Sequence, residues 1–358
     1  MPLDPFFAER LRVHRRYLFD QALGSMRKRL WALWPFGRTS VPEPVKPAKG
    51  AERGKDAGLG SRAKARARHR RAALAWDRTE LRTVGTLGPD VRVTEHAVTA
   101  PEHPSVRVRI YHPDGDGPVP AVLAFYGGAF RIGGIDYPTT DAGFRSRCAD
   151  AGVAIAAVGY PLAPEHRYPV QVQQAYAALE WLFAHAFELG IDPDRIGVAG
   201  VSAGANLATA LTLANRDRGA YPVRLQVLEV PVVDLTGAHL DLRATRALGI
   251  PRFIVARELR SVARTYLPSK GRAREPYASP LRAASHEGLP PAVILTAEYD
   301  PLRGDGDAYG AALRAAGVDA SVVRYQGVTH DTAIFTGVLP AARRWHDDVV
   351  TALRRLHA

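Results

Sequence analysis

From about residue 88 to the C-terminus, short apolar runs alternate with segments of helical period, and that alternation admits few folds. Strands are predicted near 91–98, 105–111, 119–125, 153–159, 195–199, 223–230, 291–297 and 319–325. Helices are predicted near 138–150, 170–186, from 203 onward, 303–316 and 339–356. Strand, helix and strand in succession require parallel pairing with the helix laid across the sheet. The class is therefore α/β, with a mostly parallel central sheet and helices on both faces. The opening strands follow one another without a helix and are expected to pair antiparallel. Residues 235–275 interrupt the alternation with helical sequence containing Arg and Leu, and are expected as an insertion above the sheet.

Within this frame Gly200-Val201-Ser202-Ala203-Gly204 reads G-x-S-x-G. The pattern alone is common; its setting is not. The buried-strand run Arg195-Ile196-Gly197-Val198-Ala199 precedes it, and Asn206-Leu207-Ala208-Thr209-Ala210-Leu211 opens a helix after it. A serine on such a sharp turn projects its hydroxyl above the sheet, and glycines flank it because side chains there would collide with strand and helix. The helix N-terminus beneath the serine favours developing negative charge.

A serine hydroxyl becomes a useful nucleophile only when an imidazole removes its proton and a carboxylate orients that imidazole. On this type of sheet the order along the chain is Ser, acid, His. Asp300 follows the strand Ala292-Val293-Ile294-Leu295-Thr296-Ala297, and His330 follows the strand Ser321-Val322-Val323-Arg324-Tyr325. Ser202, Asp300 and His330 thus each follow the C-terminal end of a predicted strand. Asp141, Asp305 and Asp331 compete for the acid role but do not follow a strand as directly. Tyr126-Gly127-Gly128-Ala129-Phe130 follows a further strand and is a candidate oxyanion hole. Its donors are the backbone N–H groups of Gly128 and Ala129 together with that of Ala203, with Gly127 as a fourth member.

These segments resemble the hormone-sensitive-lipase-like esterases of the α/β-hydrolase fold over roughly residues 85–358. Tyr126–Phe130 is similar to that family's His-Gly-Gly-Gly/Ala-Phe loop. Tyr160-Pro161-Leu162-Ala163-Pro164-Glu165-His166 is similar to its Tyr-Arg-Leu-Ala-Pro-Glu-His segment. Gly200–Leu207 resembles its Gly-Asp-Ser-Ala-Gly-Gly-Asn-Leu elbow, Asp300-Pro301-Leu302-Arg303 its acid motif, and Gly327-Val328-Thr329-His330 its histidine motif. The resemblance implies hydrolysis of carboxylic esters with short to medium acyl chains, without metal or organic cofactor. It also implies a helical cap made by N-terminal helices and an insertion. Three positions depart from the pattern: Tyr126 replaces the loop histidine, Val201 the aspartate before the serine, and Ala205 a glycine. The Tyr126 hydroxyl either holds the loop or itself donates to the oxyanion. Rival readings are an amidase or lactonase with the same triad, and a non-catalytic ligand-binding protein of the same fold.

The chain has 358 residues and a formal charge of +12, which invites a nucleic-acid reading. Residues 1–82 hold 20 of the 48 basic and 8 of the 36 acidic side chains, so the remaining residues balance. The excess charge says nothing about the substrate of the catalytic part, and no nucleic-acid partner is expected. Residues 1–36 read as one or two helices, whose Arg27–Phe36 run of cations and aromatics either lies on an anionic membrane or covers the site entrance. Residues 37–84 read as a basic linker (37–60) and helix, with a solvated basic block at 61–72, and 85–358 as the catalytic domain. The single Cys148 excludes an internal disulfide and is expected to pack rather than react. His166 is expected to support a loop, and no H-E-x-x-H or Cys/His cluster offers a metal site. No run reaches the roughly 18 apolar residues of a membrane span and no signal-peptide pattern opens the chain, so the expected location is cytoplasmic.

Overall fold

The computed structural model describes residues 1–12 and 55–358, apart from residues 101, 116 and 220. The segment read above as N-terminal helices and linker lies outside the described residues from 13 to 54. The chain divides into two compact units, residues 2–69 and, with Met1, residues 70–358. In the first, residues 5–12 are helical (α1), and α2 (Lys55–Thr83) starts there and runs on into the second. The linker expected over 37–60 is therefore already helical from Lys55, although its first turns carry Gly58 and Gly60; Ala, Lys and Arg, all good helix formers, dominate α2 from residue 62 to 75.

The second unit is built on eight strands: β1 (Arg92–Ala100), β2 (His103–His112), β3 (Val119–Phe125), β4 (Ala154–Gly159), β5 (Ile191–Val201), β6 (Val223–Glu229), β7 (Ala292–Ala297) and β8 (Ala320–Tyr325). They form one sheet in the order β1-β2-β4-β3-β5-β6-β7-β8. β1 pairs with β2 and β2 with β4 antiparallel, and every other pair is parallel. Every residue of β7 is buried, as are all of β3 but its first and all of β4 but its last. That is the signature of strands covered on both faces. β1 at the edge and the first part of β2 beside it instead mix exposed and covered positions.

The crossovers decide where the helices lie. The chain passes from β3 through α3 (Pro138–Ala151) to β4, then back through α4 (Val170–Ala184) to β5 on the other side of β3. Right-handed crossovers running in opposite directions put α3 and α4 on opposite faces. α5 (Ala203–Arg218) joins α4, while α9 (Pro340–Arg354) packs on α3. α5 is buried along nearly its whole length, and α9 buries the stripe Ala341, Ala342, Trp345, Val349 and Leu353. Between β6 and β7 the chain inserts α6 (Arg243–Ala247) and α7 (Arg252–Tyr266), and α8 (Arg303–Ala315) connects β7 to β8. Strand order reverses between β3 and β5. In an open parallel sheet, the crevice beyond the strands' carboxyl ends at such a reversal is where ligands bind.

Candidate active site

Two loops leave the sheet side by side at that reversal. After β5, Ser202 takes φ 53° and ψ −113°, a conformation that non-glycine residues rarely adopt. Its N–H donates to the Glu229 carbonyl at 2.8 Å, and its carbonyl accepts from Asn206 at 3.1 Å. The flanking glycines are sterically required. A Cβ on Gly200 would collide with the Gly204 carbonyl, and one on Gly204 with the carbonyls of Phe125 and Tyr126. The second loop follows β3. Gly128, Ala129 and Phe130 have φ of 131°, 53° and 59°, and a Cβ on Gly128 would strike the Ile132 carbonyl. Bonds from Arg131 and Ile132 to the Gly128 carbonyl, and from Ala163 N–H to the Phe130 carbonyl, hold this coil. The fully buried Phe130 ring stacks on Tyr266 at 3.7 Å. A Cβ on Gly127 would lie 3.6 Å from that of Ser202, so the glycine loop sits against the serine. The N–H groups of Gly128, Ala129 and Ala203 donate to no other group among the described residues. Ala203 opens α5, where the first amides of a helix lack partners within it.

The loops after β7 and β8 bring in the acid and the imidazole. His330 Nδ1 donates to Asp300 Oδ2 at 2.7 Å, while Asp300 Oδ1 accepts the Leu302 N–H at 2.9 Å. Asp300 is buried. Gly327 N–H donates to the Glu298 carboxylate and Tyr299 N–H to the Val328 carbonyl, which fastens the two loops together. Burial opposes the imidazolium, but the charge and hydrogen bond of Asp300, aided by Asp331, push His330 up to about 9. Two of the competing acids are engaged elsewhere, Asp141 with Tyr111 and Arg145 and Asp305 with the amides of Val233 and Asp234, while Asp331 lines the same cavity as His330 but makes no hydrogen bond to it.

His330 and Ser202 line one cavity of about 250 Å³, with Tyr126, Gly127 and Gly128 on its wall. α2 contributes Ala73, Trp76 and Asp77 to it, and α3 contributes Phe144. Chemically this is a constrained serine, an oriented imidazole and free amides around a small, largely apolar space.

A family model of the alpha/beta hydrolase fold matches residues 122–334. Esterase LipI of Mycobacterium tuberculosis is 36% identical over 270 residues, which cover 74% of this chain and 82% of that protein. The chain belongs to the hormone-sensitive-lipase-like esterases of the α/β-hydrolase fold. Ethyl acetate hydrolase of Pseudomonas putida is 34% identical to this esterase over 268 residues, covering 74% of this chain and 82% of the relative. The crystal structure of EstE1, a thermostable carboxylesterase from a metagenomic library, superposes with a TM-score of 0.75 at 34% identity, covering 81% of this chain and 97% of the other.

The esterase's departures from its family pattern now have physical accounts. The Tyr126 hydroxyl donates to the Tyr160 carbonyl at 2.8 Å, and the Tyr160 hydroxyl returns a bond to the Tyr126 carbonyl at 2.8 Å. The two rings stack 4.2 Å apart. Of the two roles open to Tyr126 from sequence, this geometry favours holding the loop. Replacing Tyr126 by Phe strands a buried carbonyl and is expected to lower unfolding free energy by about 1–3 kcal/mol in a urea titration. Val201 lines the cavity beside Ser202, making that wall apolar, and Ala205 fits in full burial.

Sequence reasoning missed two supports of the site in this esterase. Arg70, assigned above to a solvated basic block, is instead bonded to protein on three sides: to the carbonyls of Arg131 and Ala163 and to the Glu165 carboxylate at 2.6 Å. It clamps the glycine loop to the segment containing His166, whose own carbonyl accepts from Gln171. Glu229, whose carbonyl receives the Ser202 N–H, buries a carboxylate against Arg147 at 2.7 Å and Trp345 Nε1 at 2.7 Å. A lone carboxylate inside the apolar run 225–233 was the one available signal. Cys148 is fully buried, and burial pushes its thiol up to about 12, the state of a packing residue.

Proposed function

We propose that Ser202, His330 and Asp300 form the catalytic triad with which this chain hydrolyses carboxylic esters of small molecules, those with short to medium acyl chains. The observation that carries the reading is the 2.7 Å contact of His330 Nδ1 with the buried Asp300, made by an imidazole that shares its cavity with a serine held at φ 53°. With Asp300 ionised, Nδ1 keeps its proton and Nε2 is left as the base. Ser202 Oγ attacks the ester carbonyl while Nε2 takes the hydroxyl proton, and Asp300 stabilises the imidazolium that results. The oxyanion accepts from the amides of Gly128, Ala129 and Ala203, with Gly127 at the edge of the hole. Each such donor contributes about 2.7–4 kcal/mol to the transition state in comparable enzymes. The imidazolium then protonates the departing alcohol, and water releases the acyl group by the same route.

The substrate range rests on size. The cavity of about 250 Å³ is smaller than the roughly 300–1,000 Å³ that accommodates drug-sized ligands. Trp76 and Phe144 on its walls suit a small apolar group. A relative named for hydrolysis of ethyl acetate agrees with that range.

A fluorophosphonate probe tests the triad directly, because its phosphorus is attacked only by an activated hydroxyl. One adduct per chain is expected, on the peptide containing Ser202, and a panel of aryl esters of rising acyl length should show turnover declining with length. Absence of an adduct, or an adduct on another residue, would leave a binding protein or a different nucleophile.

A further inference from the structure

α7 is anchored mainly at one end. Val262 and Tyr266 are its buried residues, while its first turn carries Phe253 and Ile254, 68% and 40% exposed. Arg257, Arg260 and Arg264 follow Phe253 at intervals of four, three and four, which sets all four on one side of the helix. The three arginines are exposed, and none pairs with a carboxylate among the described residues. The helix's one acid, Glu258, is held by Arg131. Residues 252–274 contain seven basic side chains and one acidic, although residues 83–358 as a whole are balanced. Elsewhere in this unit Arg107, Arg109, Arg145, Arg147 and Arg303 each meet a carboxylate. Arg260 and Arg264, with Lys270, also border a cavity of about 370 Å³ lined by Leu235, Ala263 and Leu267.

We propose that this face of α7 docks the enzyme on an anionic lipid surface. The arrangement matches what such a surface offers. Guanidinium groups pair with headgroup phosphates, while Phe253 and Ile254 enter the boundary between headgroups and acyl chains. A row of cations alone would suit any polyanion; two large apolar side chains beside it favour a partner with a hydrocarbon interior. The docking face is separate from the substrate cavity, which α7 does not line.

The test uses the full-length protein, sedimented with vesicles of phosphatidylcholine with or without one third phosphatidylglycerol, at low and high salt. The wild type is expected to bind the anionic vesicles and to be released by salt. Arg257→Glu/Arg260→Glu/Arg264→Glu should partition about tenfold or more weakly, since each cation near such a surface counts separately. Phe253→Ser/Ile254→Ser should also bind less while keeping its salt dependence, and both variants should melt with the wild type. Undiminished binding by the charge-reversed variant would assign the attraction to residues 1–82 and overturn the proposal. So would a wild type that ignores both vesicles, or one that prefers a duplex oligonucleotide to them.

Discussion

Ser202→Ala is expected to leave a folded protein whose kcat toward a short-chain aryl ester falls by about 10⁶-fold. The backbone at this position is set by the bonds to Glu229 and Asn206 and by the glycines on either side, none of which the substitution touches. Only the Oγ atom goes, and with it the covalent route proposed above. The unfolding midpoint in urea should therefore stay near that of the wild type, and residual rate above water should come from the amides of the glycine loop. Turnover within tenfold of the wild type would mean that another group attacks the ester.

Asp300→Asn is the second large effect, and its direction on pH separates orientation from nucleophilicity. In the proposed mechanism the buried carboxylate fixes the proton on His330 Nδ1 and stabilises the imidazolium; an amide of equal size does neither, and a loss of roughly 10⁴-fold in kcat is expected. The base works only when neutral. Because Asp300 holds His330 protonated up to about 9, kcat/KM of the wild type should climb through the neutral range with a midpoint well above that of an ordinary histidine. Removing the carboxylate charge leaves burial, which opposes protonation, so the midpoint of the variant's residual activity should move to lower pH. Identical midpoints in the two proteins would show that the titrating group is not an imidazole paired with residue 300.

The parts of this molecule that were legible in the sequence are those whose signal is local. β3, β4 and β7 stand out because burial on both faces demands unbroken apolar runs, and their boundaries fall within a residue or two of expectation. Ser202 and Asp300 were legible as candidates because each closely follows a largely buried apolar run, and His330 because it closely follows the half-exposed strand β8. Arg70 and Glu229 were not, since a lone arginine in a basic stretch, or a lone glutamate ending a strand, acquires meaning only from a partner far away in the chain. Tyr126 falls between: its position pointed to the glycine loop, but only the ring of Tyr160 against it favours one of two possible roles. The start of α2 was misread because Gly58 and Gly60 in its first turns carry a linker signal, which the Ala- and Arg-rich stretch after them overrides.

The three bonds of Arg70 carry a practical consequence for anyone shortening the gene. A product beginning at residue 85, the start of the catalytic domain as read from the sequence, keeps the serine, the histidine and the aspartate. It nevertheless loses the rivet between the end of the glycine loop and the segment containing His166, together with the Trp76 side of the cavity. Such an enzyme would be expected to bind esters loosely and turn them over slowly with its chemical groups intact, and a new start site belongs upstream of the arginine.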